Sequence, residues 1–141
     1  MCTAFRPSRW VGTAGGTKYG YAKDGKPFLT KEPKLMLNDD NAGKPEGIHL
    51  IIGPRPYAAF GNSTGDRQML EYTKVGDGNR LSMIVLHDDA KREYAYGPAR
   101  GLPATKVGAF TQALYDEAKK QGWTVISMKN DWKVIFLFEK K

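Results

Sequence analysis

The spacing of apolar and polar positions changes several times along the chain, and each change marks an element. Residues 17–31, TKYGYAKDGKPFLTK, hold two short aromatic or aliphatic runs around Asp24-Gly25, the signal of a β-hairpin turn. In residues 38–53, NDDNAGKPEGIHLIIG, polar positions lead into Ile48, Ile51 and Ile52. Pro45 suits a first helical turn and Gly53 a C-terminal stop, which together predict a capped helix. Tyr57 to Phe60 reads as a short buried strand, and residues 64–73 as a helix carrying Met69, Leu70 and Tyr72. VGDGNR is a loop. LSMIVLH, residues 81–87, is apolar without alternation, which predicts a strand in a sheet covered on both faces. A Gly- and Pro-rich loop, DDAKREYAYGPARGLP, follows. Residues 105–121 predict the best helix, with Val107, Phe110, Leu114 and Ala118 at helical spacing, Asp116 facing Lys120 and Gly122 at its end. WTVISM predicts another strand, and DWKVIFLFEK a short helical turn or an edge strand. The order is α/β with a parallel sheet flanked by helices, behind an N-terminal β-hairpin. It reads as one domain over 1–141, with a hairpin region at about 12–37 and an α/β core at about 38–141.

Composition narrows the class. The chain has 141 residues, 40% of them hydrophobic and 26% charged, which suits one globular domain. Cys2 is the sole cysteine, so no disulfide scaffold exists within the chain. No apolar run reaches the length of about 18 residues that a membrane span needs, and MCTAFRPSRW lacks the apolar stretch of a signal peptide. A soluble, cytoplasmic chain with no membrane partner is expected. The net charge of +7 suits an anionic partner, yet the basic residues are scattered, as Arg6, Arg9, Lys18, Lys34, Arg67, Lys106, Lys119, Lys129 and Lys141 show. A solvated surface with a lysine excess explains them better than a nucleic-acid face does. Tyr94 and Tyr96 beside Arg92 could stack on bases, but packing under the loop is the preferred reading.

Open α/β sheets bind ligands beyond the carboxyl ends of their strands. Two predicted strand ends carry polar atoms: Gly61-Asn62-Ser63-Thr64-Gly65-Asp66 and His87-Asp88-Asp89. Taken as residues alone, Asn62, Ser63 and Asp66 read as caps of the following helix. His87-Asp88-Asp89 reads as a solvated turn rather than a metal cluster, and His49 as a packed core or interface histidine. Lys44, in AGKPEG, reads equally as a surface lysine or a phosphate ligand. GTAGGTK, residues 12–18, lacks the Gly-Lys-Ser/Thr of a nucleotide loop and precedes a strand, so it reads as turn chemistry.

The succession DDNAGKPEGI, RPYAAFGNSTGDRQML, HDDAKREYAY and GWTVISMKNDWKVIF resembles the C-terminal half of the haloacid dehalogenase (HAD) superfamily of hydrolases, closest to a phosphoserine-phosphatase-like bacterial branch. The resemblance runs from about Pro7 to the end. It implies a Rossmann-like sheet and Mg2+-dependent hydrolysis of a phosphomonoester through four motifs. By that resemblance Lys44 is the lysine that offsets phosphoryl charge, Asn62 and Asp66 are the metal positions, and Ser63 and Thr64 are accessory. Asn62 stands where the family usually has a charged Asp, so only weak Mg2+ binding is implied.

The same resemblance exposes an omission. The family's nucleophile is an Asp-x-Asp pair on a central strand, and no such pair exists among the aspartates of this sequence. By resemblance the chain starts after that motif, so an inactive portion of a phosphatase fold is expected, with its central nucleophile strand absent. Tyr57 to Phe60 would then lie on an open sheet edge, and a homo-oligomer covering that edge is expected. The alternatives are a non-enzymatic phosphate- or nucleotide-binding module, or a basic nucleic-acid-binding module.

Overall fold

A computed structural model describes residues 10–105 and 108–139. The chain forms two compact units, Met1–Pro54 and Arg55–Lys141. The first is built on an antiparallel hairpin of β1 (Ala14–Tyr21) and β2 (Pro27–Leu37), in which Tyr19 faces Leu29 and Tyr21 faces Pro27. Asp24-Gly25 makes the turn, as the sequence predicts. Gly25 has φ 79°, and Asp24 Oδ1 accepts the Lys26 N–H at 3.2 Å. Ten of the eleven β2 residues are exposed, and only Leu37 is buried. Helix α1 (Gly43–Ile51) packs Gly47 so closely that a Cβ there would lie 2.7 Å from Val11 and 2.9 Å from Leu37.

Helix α1 begins differently from the expected capped start. Its N-cap is Ala42, which offers no side-chain acceptor. A close backbone turn starts the helix instead: a Cβ on Gly43 would fall 1.6 Å from the Asn38 carbonyl oxygen, so only glycine fits. The predicted stop is present, with Gly53 at φ 89° and its N–H on the Ile48 carbonyl. His49 is exposed, not packed, because α1 turns its buried side, Gly47, away from it.

The second unit carries a three-stranded parallel sheet, β3 (Ala58–Gly61), β4 (Leu81–Leu86) and β5 (Thr124–Ser127), in the order β3-β4-β5. Helices α2 (Arg67–Lys74) and α3 (Gln112–Lys120) provide the crossovers. Parallel partners share a face, so Ala59 and Ser82 lie together, as do Ile84 and Val125. That face meets Leu70 of α2 and Leu114 and Ala118 of α3 in one core with Ala99, Phe110 and Trp123. Ser82 Oγ donates to the Leu70 carbonyl at 2.8 Å, which satisfies a buried hydroxyl and ties β4 to α2. Arg67 bridges the helices through Glu71 at 3.1 Å and Glu117 at 2.7 Å.

Three expectations are corrected. The 81–87 run does not make a strand buried on both faces: Ser82, Ile84 and Leu86 are buried, Met83 and Val85 are half-buried and Leu81 is exposed. The apolar sequence hides an alternation that only the pleat reveals. Tyr57 to Phe60 is not a fully buried strand, since Ala59 is buried while Tyr57 and Phe60 are 72% and 60% exposed. Helix α3 starts at Gln112, not at 105. Gly108 has φ 63°, and Thr111 Oγ1 accepts the Leu114 N–H at 3.2 Å and so sets the N-terminus. Phe110 still enters the core, from the extended link before the helix, and Val107 lies outside the described residues. Asp116 accepts from Gln112 at 2.8 Å. The C-terminal segment ends in the single turn Leu137–Glu139. No helix among the described residues is long and apolar enough to cross a membrane.

Candidate functional site

The corner after β3 is built by one carboxylate. Gly61 ends the strand and Thr64–Asp66 forms a short 3-10 turn that runs into α2. Asp66, 9% exposed, folds back beneath this turn. Its Oδ2 accepts the N–H of Asn62 at 2.9 Å and of Ser63 at 3.2 Å, with Ser63 Oγ at 3.5 Å. Small residues are required there: a Cβ on Gly61 would lie 2.5 Å from the Asp66 Cβ. The Thr64 N–H donates to the Ala109 carbonyl at 2.9 Å, and Thr64 itself is exposed. Asp66 therefore holds the backbone of Asn62 and Ser63 in place: it makes no side-chain cap bond to α2 and instead reaches back as the third residue of a capping box on the 3-10 turn.

Asn62 is oriented from the other side. Its Nδ2 donates to the Tyr96 hydroxyl at 3.2 Å. The Tyr96 ring stacks on His87 with centroids 4.5 Å apart, and His87 Nδ1 meets Glu93 at 3.0 Å. Asn62, Tyr96, His87 and Glu93 thus form a chain of contacts from the end of β3 to the loop after β4. With Nδ2 engaged, Oδ1 is the Asn62 atom that could accept from a ligand or reach a cation. Tyr94 is 88% exposed and does not pack under the loop, while Tyr96 is the half-buried member of the pair.

The ends of β4 and β5 are stitched together. Asp88 accepts Ser127 Oγ at 2.7 Å and the Lys129 N–H at 3.0 Å. Asp89, 6% exposed, accepts the N–H groups of Lys91 and Arg92 and pairs with the Arg92 guanidinium at 2.5 Å. The Arg92 hydrogen bond is the main cause that holds the Asp89 carboxyl below the ordinary carboxylate range, with the two backbone N–H groups assisting and desolvation opposing. Arg92 also donates to the carbonyls of Met128 and Trp132 at 2.8 and 2.9 Å. Asp89 makes the turn expected of its sequence. Ser127 and Lys129, which Asp88 meets, and Met128 and Trp132, which Arg92 meets, lie 36 to 41 residues away, beyond any local signal.

Lys44 belongs to the first unit, in the opening turn of α1, and is half-buried. Asn62, Ser63, Thr64 and Asp66 sit together in the second unit. Among the described residues no group of three or more His, Cys, Asp or Glu side chains is arranged to hold a metal ion. The corner offers one carboxylate, already engaged with its own backbone, and one neutral carboxamide. That donor set suits a cation that keeps most of its water, as Mg2+ does when a phosphate brings it. No protein-family model matches the chain, and no curated protein matches it.

Proposed function

We propose that the chain is the phosphate- and metal-side portion of a HAD-type phosphohydrolase fold, which binds a phosphomonoester and does not turn it over alone. The observation that carries this reading is the corner at the carboxyl end of β3, where Asp66 presets the Asn62 and Ser63 backbone in a parallel sheet. The sequence supports the second half of the reading, since it contains no Asp-x-Asp pair to attack phosphorus. Electrostatic stabilisation and positioning dominate phosphoryl transfer, and a site can keep both without a nucleophile. On this reading the Ser63 and Thr64 hydroxyls donate to phosphate oxygens, and Asn62 Oδ1 would help hold Mg2+, which would supply positive charge against the phosphoryl group. One engaged carboxylate is little charge with which to hold a metal ion, so the phosphate would have to contribute to its binding. The resemblance alone gives Lys44, in the first unit, the part of offsetting phosphoryl charge. Strand β3 pairs only with β4 among the described residues, which supports assembly of two copies along its open edge.

The test is p-nitrophenyl phosphate with Mg2+, alongside phosphate titration followed through the backbone amides of residues 62–65. No turnover is expected, with amide shifts that grow when Mg2+ is present. Turnover that disappears in Lys44→Ala would overturn the incompleteness. Amides that do not respond with or without Mg2+ would overturn phosphate binding at the corner.

A further inference from the structure

Two adjoining clefts open beyond the carboxyl ends of β4 and β5, and they share Asp88 and Lys129 as walls. The larger, about 450 Å3, adds Asp89, Lys91, Arg92 and Trp132. The smaller, about 250 Å3, adds Leu86, Arg100, Leu102 and Asn130. Lys91, Arg92, Lys129 and Arg100 thus line the clefts together with Asp88 and Asp89, and the Arg100 guanidinium lies 6.0 Å from the Tyr115 ring centroid. Both carboxylates are engaged within the protein, Asp88 by Ser127 and Lys129 N–H, Asp89 by Arg92. The neighbouring acids are engaged as well: Asp131 accepts the Ser127 N–H at 2.8 Å and Glu139 the Ile135 N–H at 2.8 Å. Lys91 and Lys129 make no side-chain ion pair among the described residues.

Arg100 supplies a second, independent sign. It holds φ 56° and ψ 28°, a left-handed conformation that disfavours a residue with a Cβ. Its backbone N–H is fixed there by Gln112 Oε1 at 2.8 Å. Gly101 beside it, at φ 79°, could serve such a turn without that cost, and the same turn would accept glycine at 100. Backbone strain retained at a cleft wall is a recurrent property of ligand sites. Leu86 and Leu102 add an apolar floor and Trp132 an aromatic wall.

We propose that this crevice is a second anion site, in which Lys129 and Arg100 take the phosphate or carboxylate head of a small organic molecule whose body lies on Leu102 and Trp132. It does not rest on the reading of the β3 corner. Adjacent strands are about 5 Å apart, so the crevice sits one to two strand spacings along the same sheet end.

The test is a titration of the whole chain with inorganic phosphate at constant ionic strength, followed through the amides of Leu102, Lys129 and Asn130. Saturable shifts are expected there, with affinity reduced at least about fivefold in Lys129→Ala and in Arg100→Gln and unchanged in Lys23→Ala, an exposed lysine of the hairpin turn. Failure of the corner reading would show separately, at the amides of residues 62–65. Arg100→Gly is the discriminating variant: it should raise the melting temperature by relieving the backbone while weakening phosphate binding. Phenyl phosphate should bind more tightly than phosphate. Silent amides, or shifts that survive both charge-removing variants, would overturn the site. Retained affinity in Arg100→Gly would overturn the role of Arg100, and equal affinities for the two phosphates would overturn the organic ligand.

Discussion

At the scale of single residues, the corner after β3 depends on a missing methyl group and one carboxylate. Gly61→Ala would place a Cβ 2.5 Å from the Asp66 Cβ and 2.9 Å from its Oδ2. The carboxylate would have to leave the Asn62 and Ser63 N–H groups. A loss of about 1–3 kcal/mol in urea unfolding is expected, together with displaced amide resonances at residues 62 and 63. Unchanged stability would show that the loop moves freely. Asp89 gives a pH signature. Its folded carboxyl lies below its unfolded range chiefly because Arg92 hydrogen-bonds it. Its contribution is therefore complete above the unfolded value of about 3.9 and fades as pH falls through the lower folded value. The melting-temperature gap between the wild type and Asp89→Asn should be full at neutral pH and should close below about pH 4. A gap that widens on acidification would contradict this pairing.

At the scale of elements, the predicted and observed helices differ where two signals compete. Hydrophobic spacing across residues 107–118 favours one long helix. Gly108 and Thr111 favour a later start, and the local hydrogen bond from Leu114 N–H to Thr111 Oγ1 prevails. Phe110, at 1% exposed, is thus a core residue held by a link. The link is fixed by the Ala99 N–H on its carbonyl at 2.9 Å and by Gly97 at φ 95°, where an added Cβ would come within 3.1 Å of the Phe110 Cβ. Phe110→Ala should cost about 3–5 kcal/mol by chemical denaturation. It should also loosen the 97–103 loop in hydrogen exchange, an effect that a mid-helix residue would not have. Strand β4 teaches the converse. Its apolar run is legible as a strand, but which side chains face the core follows from its parallel register with β3 and β5.

At the scale of the whole molecule, the edge of β3, which pairs only with β4 among the described residues, is the feature with most consequence. The segment AAFG contains no charge and no proline, the usual devices that blunt an edge. Its Phe60 is 60% exposed. Light scattering should report a dimer or larger species, and Phe60→Lys should shift it towards monomer. A monomer at high concentration in the unmodified chain would remove the proposed edge pairing. The first unit shows a related economy of burial. Among the described residues Leu37 is its one large buried apolar side chain, while Tyr19, Tyr21, Leu29, Leu35 and Met36 are all more than half exposed. A two-stranded hairpin has little stability of its own, so its Asp24-Gly25 turn and the tight seat of Gly47 matter to it more than propensity does.

Residue type and spacing alone determined the hairpin turn, the helix stop at Gly53, the α/β alternation and the polar corner after β3. These are set by local geometry: a glycine that tolerates positive φ, a periodicity of two or of 3.6, a carboxylate within reach of nearby N–H groups. Only tertiary structure decided that Phe110 belongs to a link and that Tyr96 orients Asn62. It alone brought Asp88, Arg92, Arg100 and Lys129 around one crevice. Those contacts join residues 12 to 41 positions apart, and sequence spacing encodes neither a strand order nor the partners that a strand order brings together.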